Sequence, residues 1–519
     1  MAGQPEIFDI LVIGGGVNGT GVARDAAGRG LSVALVEKSD LASGTSSGST
    51  KLFHGGLRYL EYFKLRLVRE SLIEREVLLT AMPHIAWPMR FVLPLDPEMR
   101  FDGDTPASRL LGMVMPWAKG RRPAWLIRLG LLFYDHLGGR KILPETKALD
   151  LSTAAEGRGL RPGLRRAFEY SDVWVDDARL VMLNARDAQA RGATVLTRTE
   201  AVSATRGDRD WAVVLRDRTT GVEQTVRARV VVNAAGPWVE QVLRRVVKRN
   251  AGPGVRLVRG SHIVTRRLFD HDKAYFFQGS DGRIVFAIPY EQDFTLIGTT
   301  DVAHDAPDLA PRITEEERDY LIAFVNRYLD TPITADDIVW TYSGVRPLYD
   351  DGASSATAAT RDYVLDLDTD GAPLLSVFGG KITTYRRLAE AALDRLGKSF
   401  PGATTPWTQG VPLPGGDFPV FGVSDLQQGL IADYPFLTPD WAARLVRLYG
   451  TEARSWLGAA QSAADLGRDF GATLTEAELV WMRDHEFARS AEDALWRRSK
   501  LGLRLNADQI DGVRDWFDA

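Results

Sequence analysis

The chain contains no cysteine. Disulfides, thiolate nucleophiles, iron–sulfur clusters and cysteine-ligated zinc are therefore excluded, and any redox chemistry has to come from a bound cofactor. Histidine is scarce, seven residues in 519, and no two fall at the i, i+3 or i, i+4 spacing of a metal pair. No metal site is expected. Long apolar runs are missing as well. A spanning helix needs about 18 to 20 consecutive apolar residues, and the most apolar region, Leu126 to Tyr134, is interrupted by Arg128. Any membrane contact should be peripheral. The N-terminus, Met1-Ala-Gly-Gln-Pro-Glu6, has neither the basic start nor the apolar core of a secretory signal, which predicts a cytoplasmic location. Nor is there a charge excess: 64 basic and 68 acidic residues give a net charge of −4, so no electrostatic case for nucleic acid exists.

What is present is 45% hydrophobic and 25% charged, ordinary for a globular chain long enough for about three domains. It is organised around Phe8 to Lys38. Ile10 to Ile13 form an apolar run suited to a strand buried on both faces. Gly14, Gly16 and Gly19 follow at G-x-G-x-x-G spacing. The first permits the turn, the second lets the backbone approach a pyrophosphate, and the third lets the helix pack close to the strand. Free amides and the helix dipole then face the phosphates. Leu31 to Val36 read as a second strand ending at Glu37, whose carboxylate can accept from both hydroxyls of an adenosine ribose. An acid there disfavours a 2′-phosphate, which leaves NAD or FAD. The following stretch, Ser39 to Lys51, is small and polar, and the hydroxyls of Thr45, Ser46 and Ser47 suit the pyrophosphate and flavin end of the longer cofactor.

Further along, residues 64 to 81 carry the period of an amphipathic helix, and Met89 to Leu93 read as a strand. Residues 117 to 133 mix Trp117, Lys119, Arg121, Arg122, Trp125, Arg128 and Phe133, a composition that fits either a core-facing helix or an interfacial anchor. A strand from Glu169, an N-cap at Asp176 or Asp177 and a helix to Arg186 come next, then a strand over 193 to 204 and a hairpin turning at Thr219-Thr-Gly221. Arg229 to Trp238 form another buried strand, whose Ala235-Gly236 end suits close approach of backbone to the dinucleotide. Short β segments from Val255 to Asp301 predict a mostly antiparallel sheet, Pro311 to Tyr328 a helix, and Ile338 to Pro347 a return to the cofactor. Beyond a Pro/Gly/Thr-rich stretch at 402–416 the chain is helical, with a boundary near 400.

Ile13 to Gly30 resembles the first signature of the FAD-dependent glycerol-3-phosphate dehydrogenases, and Gly379-Gly-Lys-Ile-Thr-Thr-Tyr-Arg-Arg-Leu-Ala389 the second. Lys51 to Leu60, Thr341 to Pro347 and Ala494 to Arg498 are similar to family segments too, closest to the bacterial aerobic enzymes; the length of Asp96 to Arg121 departs from that pattern. The resemblance implies an α/β fold in which a Rossmann-like FAD-binding domain of the glutathione-reductase/D-amino-acid-oxidase type (1–90, 166–240, 341–400) is interleaved with a mostly antiparallel substrate or cap domain (91–165, 241–340). A C-terminal α-helical domain (401–519) follows. It implies oxidation of sn-glycerol 3-phosphate at C2 to dihydroxyacetone phosphate, hydride passing to flavin N5 and electrons to a membrane quinone. Peripheral contact with the cytoplasmic face of the inner membrane follows, with a homodimer as one option. Arg58, Tyr59, His54, Arg346 and Lys381 would surround the substrate. For the hydroxyl proton His54 and His262 compete with Lys381 and Arg346; Lys381 or Arg346 acting on the hydroxyl with His262 orienting it is the preferred assignment. Thr383 and Thr384 would meet the flavin's pyrimidine edge, and Lys38, Val202, Gly344 and Gly380 complete the cofactor set. Competing expectations are a glycerol-3-phosphate oxidase using oxygen, a more distant amino-acid oxidase, and a flavin- or NAD-binding regulatory protein without turnover.

Overall fold

The computed structural model describes residues 7–96, 99–100, 105–114, 122–249, 254–350, 362–403 and 405–519. At its centre strand Ile7–Ile13 runs parallel to Val33–Val36 on one side and to Glu223–Asn233 on the other. The sheet extends outward through Thr194–Leu196 beyond Val33–Val36, and through Leu374–Gly379 and Tyr363–Asp368 beyond Glu223–Asn233. Alternate residues feed two cores. Ile10, Val12, Leu35 and Val232 face helices Val17–Gly28, Asp177–Ala190 and Tyr385–Arg395, while Leu11, Ile13, Val36 and Val231 face Trp211, Val213 and Phe378. Burial on both faces is why these strands are continuously apolar.

Residues 193 to 204, expected as one strand, form two. Thr194–Leu196 joins the parallel sheet, whereas Thr199–Arg206 starts an antiparallel meander with Trp211–Asp217 and Glu223–Asn233. The break is at Arg198, whose φ of 52° turns the chain out of the sheet.

The second sheet runs Val302–Ala303, Val255–Arg266, Phe294–Gly298, Ile284–Tyr290, Ala274–Gln278, Ala86–Pro94, Arg166–Val175, Leu52–Phe53 and is antiparallel apart from one pairing. It also takes Ile338–Tyr349, paired along Val255–Arg266. Strands Arg166–Val175 and Ile338–Tyr349 thus lie in this sheet, although the residues from 166 and from 341 read as part of the cofactor domain. An apolar run predicts a strand, but its neighbour is set by hydrogen-bond register with residues far away in sequence. Helix Glu315–Asn326, opened by a Thr314–Glu317 capping box, packs beneath it. Its Glu317 accepts from Ser261 (2.9 Å) and Thr300 (2.7 Å), fixing one face of the two paired strands. Because side chains alternate, Gly260, His262, Tyr342, Gly344 and Arg346 share the opposite face.

The C-terminal helices Val423–Asp433, Pro439–Tyr449, Glu476–His485 and Ala507–Asp518 close on a core of their own that includes Leu430, Val446, Met482 and Val513. Helix Ala124–His136 turns Leu131 and Tyr134 inward and leaves Trp125, Leu132 and Phe133 54%, 55% and 55% exposed. Of the basic residues expected on an interfacial face here, Lys119 and Arg121, like Trp117, lie outside the described residues. Arg122 is buried against Glu61 (2.8 Å), and Arg128 lies 5.7 Å over the Phe168 ring. The exposed face of this helix is mainly apolar, Trp125, Leu129, Leu132 and Phe133, with Arg128 as its one exposed arginine among the described residues.

Candidate active site

The glycine turn has the geometry its spacing predicts. Gly14 adopts φ +116°, and a Cβ there would lie 2.6 Å from the Ala234 carbonyl oxygen; at Gly19 it would lie 1.9 Å from the Gly14 oxygen, so helix Val17–Gly28 can approach the strand only without a side chain. Gly16 begins the helix, where a Cβ would sit 3.3 Å from the Ser46 hydroxyl. Thr45–Ser47 form a single turn facing it, with Ser46 Oγ accepting from Val17 N (3.0 Å) and Thr45 Oγ1 donating to Val345 O (2.5 Å). Glu37 accepts from Gly15 N (2.7 Å) and Ser39 N (2.8 Å), which fixes the carboxylate and leaves lone pairs for further donors. Burial pushes its carboxyl above the usual range despite those two amides.

Around this turn stand the other expected cofactor residues. Ala235 and Gly236 close the end of strand Glu223–Asn233, with Gly236 at φ +54°. Gly344 packs against Gly48, where a Cβ would be 2.8 Å from the Gly48 oxygen. Gly380, at φ +99°, abuts Asn18, whose side chain donates to Gly379 O (3.2 Å). Lys38 is drawn 4.2 Å over the Trp238 ring, and Val202 occupies the bulge of strand Thr199–Arg206.

The residues expected to meet the substrate form two groups. His54, Tyr59, Lys381 and Thr383 come together: His54 N donates to Thr383 Oγ1 (3.3 Å), and the Lys381 ammonium lies 4.1 Å over the Tyr59 ring. Arg58 shares the Leu57–Tyr62 turn with Tyr59. The second group lies on the shared strand face. His262 stacks on Tyr342 (4.6 Å) with Nε2 3.0 Å from Thr50 Oγ1. Burial, then the Arg346 and Lys51 charges, holds its imidazole well below the usual range, so it is neutral. Arg346 pairs with Asp301 and donates to Thr300 O (2.9 Å); Gly260 makes room, since a Cβ there would be 1.9 Å from the guanidinium. Segment Gly48–His54 joins the two groups.

That segment is anchored by an ion pair the sequence reading missed. Lys51 and Asp177, 1% and 0% exposed, meet at 2.6 Å, and Ser49 Oγ donates to Asp177 Oδ2 (2.7 Å). Asp176 does the capping, accepting from Ala178 N and Arg179 N. The signal was the doubled acid, because one N-cap needs only one. Thr50, Asp301 and Tyr342 were also missed: Thr50 and Tyr342 lie in stretches already singled out, but nothing local marks them out from their neighbours there.

Glycines at the phosphate turn, an acid at the end of the second strand, hydroxyl-bearing turns and a cation-rich face over them define a dinucleotide-dependent oxidoreductase, and the donor set fits a dinucleotide long enough to reach the second sheet. Comparison with known proteins gives the family. Residues 9–386 match the FAD dependent oxidoreductase family and residues 406–513 the C-terminal domain of alpha-glycerophosphate oxidase, so the chain belongs to the FAD-dependent oxidoreductases. It is 50% identical to D-erythritol 1-phosphate dehydrogenase of Brucella abortus (99% of this chain, 98% of that protein). It is 48% identical to aerobic glycerol-3-phosphate dehydrogenase of Escherichia coli (99% and 97%). The glycerol-3-phosphate dehydrogenase of Bacillus halodurans, solved with FAD, has a TM-score of 0.72 at 26% identity, covering 99% of this chain and 94% of that one. The protein is an FAD-dependent enzyme.

Proposed function

We propose that the protein oxidises sn-glycerol 3-phosphate at C2 to dihydroxyacetone phosphate. The observation that carries this is the placing of cations at both ends of segment Gly48–His54, Lys381 over Tyr59 of the turn that also holds Arg58, and Arg346 on the face it shares with His262. Arginine suits a phosphate dianion by its two-pronged donors, and a lysine ammonium suits a developing alkoxide. FAD, when bound, supplies the hydride acceptor. Lys381 or Arg346 acts on the C2 hydroxyl, and neutral His262, held by Thr50 and Tyr342, orients it. The 50% identical Brucella relative favours a second reading with a four-carbon polyol phosphate. Anaerobic bleaching decides: the flavin should lose its colour faster with glycerol 3-phosphate than with D-erythritol 1-phosphate, and the reverse order establishes the second reading. A yellow protein bleached by neither would be a flavin-binding protein without this turnover.

Arg346→Ala should weaken glycerol 3-phosphate roughly 10- to 150-fold, the loss of a charge-assisted contact of about 1.5 to 3 kcal/mol, and glycerol much less. Equal weakening of both, measured by flavin spectral titration, would mean that Arg346 serves Asp301 and the sheet rather than the phosphate.

Electrons pass to a membrane quinone, reached from a peripheral position on the cytoplasmic face of the membrane. Among the described residues no helix is long and apolar enough to cross a bilayer. The exposed face of Trp125, Leu132 and Phe133 supports lying on one instead. Changing these three to Glu together should abolish sedimentation with phosphatidylglycerol-containing vesicles and leave flavin reduction in solution intact. A variant that still sediments like the parent would place the contact elsewhere. Faster reoxidation of the reduced flavin by oxygen than by a short-chain quinone would favour the oxidase reading.

A further inference from the structure

The segment that follows the second strand is wrapped around the glycine turn. Glu37 holds Gly15 N through its carboxylate, and Ala42 N donates to Gly15 O (3.1 Å). Its outer side is tied by Thr199 N to Glu37 O (2.8 Å) and Arg198 N to Ser39 O (2.9 Å). At the middle of the wrap stands the carboxylate of Asp40, 2% exposed. It is taken by the C-terminal domain. Arg498 grips both oxygens, Nη1 to Oδ2 at 2.8 Å and Nη2 to Oδ1 at 2.7 Å, and Arg497 Nε reaches Oδ2 at 2.6 Å. Asp493 completes the lock, accepting from Arg497 Nη2 (2.5 Å) and from Arg198 Nη2 (2.7 Å). The wrap around Gly15 is therefore held from behind by two arginines of the C-terminal domain, Arg498 buried with Asp40 and Arg497 at the edge of an open cleft.

We propose that the C-terminal helical domain is a clamp on the FAD site: Arg497 and Arg498, through Asp40, set the wrap that positions Glu37 and the glycine turn. Asp40 is a positioning residue in this scheme and touches no cofactor atom. Removing one partner of a buried, hydrogen-bonded ion pair leaves the others without compensation, so the wrap and the docking loosen together. Linkage makes the effect reciprocal: whatever tightens the wrap, FAD included, also tightens the domain. A second set of ties separates this from docking in general. Arg186 of helix Asp177–Ala190 pairs with Glu452 (2.5 and 3.1 Å), joining the same domain to the same body without touching residues 37–42.

The test uses full-length protein stripped of FAD and titrated with it. Asp40→Asn should lower FAD affinity at least about tenfold, with the melting temperature of the FAD-free protein recorded alongside, while Glu452→Gln changes the affinity less than about twofold. FAD should slow tryptic release of a C-terminal fragment in the parent and lose that protection in Asp40→Asn. Should Asp40→Asn not accumulate as folded protein, Arg497→Gln, which leaves the Arg498 pair in place, decides at threefold or more. Unchanged affinity, or an equal loss in Glu452→Gln, overturns the clamp.

Discussion

Lys381→Met should keep FAD bound and lower the rate of flavin reduction by substrate at least about a hundredfold. Gly379 and Gly380, at φ +69° and +99°, turn the chain so that Lys381 opens the short Ile382–Thr384 helix with its ammonium over Tyr59. Thr383 of the same short helix, buried, accepts from the backbone N of His54, at the end of segment Gly48–His54. A charge at this position acts most strongly on charge that develops in the transition state, so its removal falls on the reduction rate more than on cofactor or substrate binding. Methionine keeps the length and the apolar contact with the Tyr59 ring, which isolates the charge. Stopped-flow reduction under anaerobic conditions is the measurement. A rate near that of the parent removes Lys381 from the chemistry and leaves Arg346 as the group acting on the hydroxyl.

The parts of this site that sequence makes legible are those whose geometry is encoded within about thirty residues. Gly14, Gly16, Gly19 and Glu37 specify their turn and strand end by local sterics alone, and the paired glycines before Lys381 announce a backbone that only glycine adopts easily. What escapes is set by partners far away. Lys51 meets Asp177 at a separation of 126 residues, and Asp40 meets Arg498 at 458. Neither side of such a pair differs in sequence from a solvated charge. The sheet that Arg166–Val175 and Ile338–Tyr349 join could not be read from the sequence for the same reason. His262 shows an intermediate case. Its scarcity alone decided nothing, and only its burial and the nearby Arg346 and Lys51 charges, none of them readable locally, make its imidazole neutral.

Gly16→Val should give a folded, colourless protein, whereas Gly19→Val should fail at an earlier stage. At Gly19 the added Cβ would stand 1.9 Å from the Gly14 carbonyl oxygen, backbone against backbone, and the helix would have to move off the central strand. Overpacking at such a contact costs at least about 1 to 3 kcal/mol and is felt by the whole sheet. At Gly16 the nearest atom to the new Cβ is the Ser46 hydroxyl at 3.3 Å, a small side chain that can yield, and the backbone φ of −83° is open to any residue. The protein itself therefore accommodates the change. The valine methyls instead fill the space between the glycine turn and the Thr45–Ser47 turn, which is where the pyrophosphate has to approach the backbone. The two variants are separated by measuring melting temperature and flavin content together: Gly16→Val should melt within a few degrees of the FAD-free parent and bind no flavin, and Gly19→Val should melt well below it. A Gly16→Val protein that is folded and carries the parent's full flavin content would show that the pyrophosphate does not cross this turn.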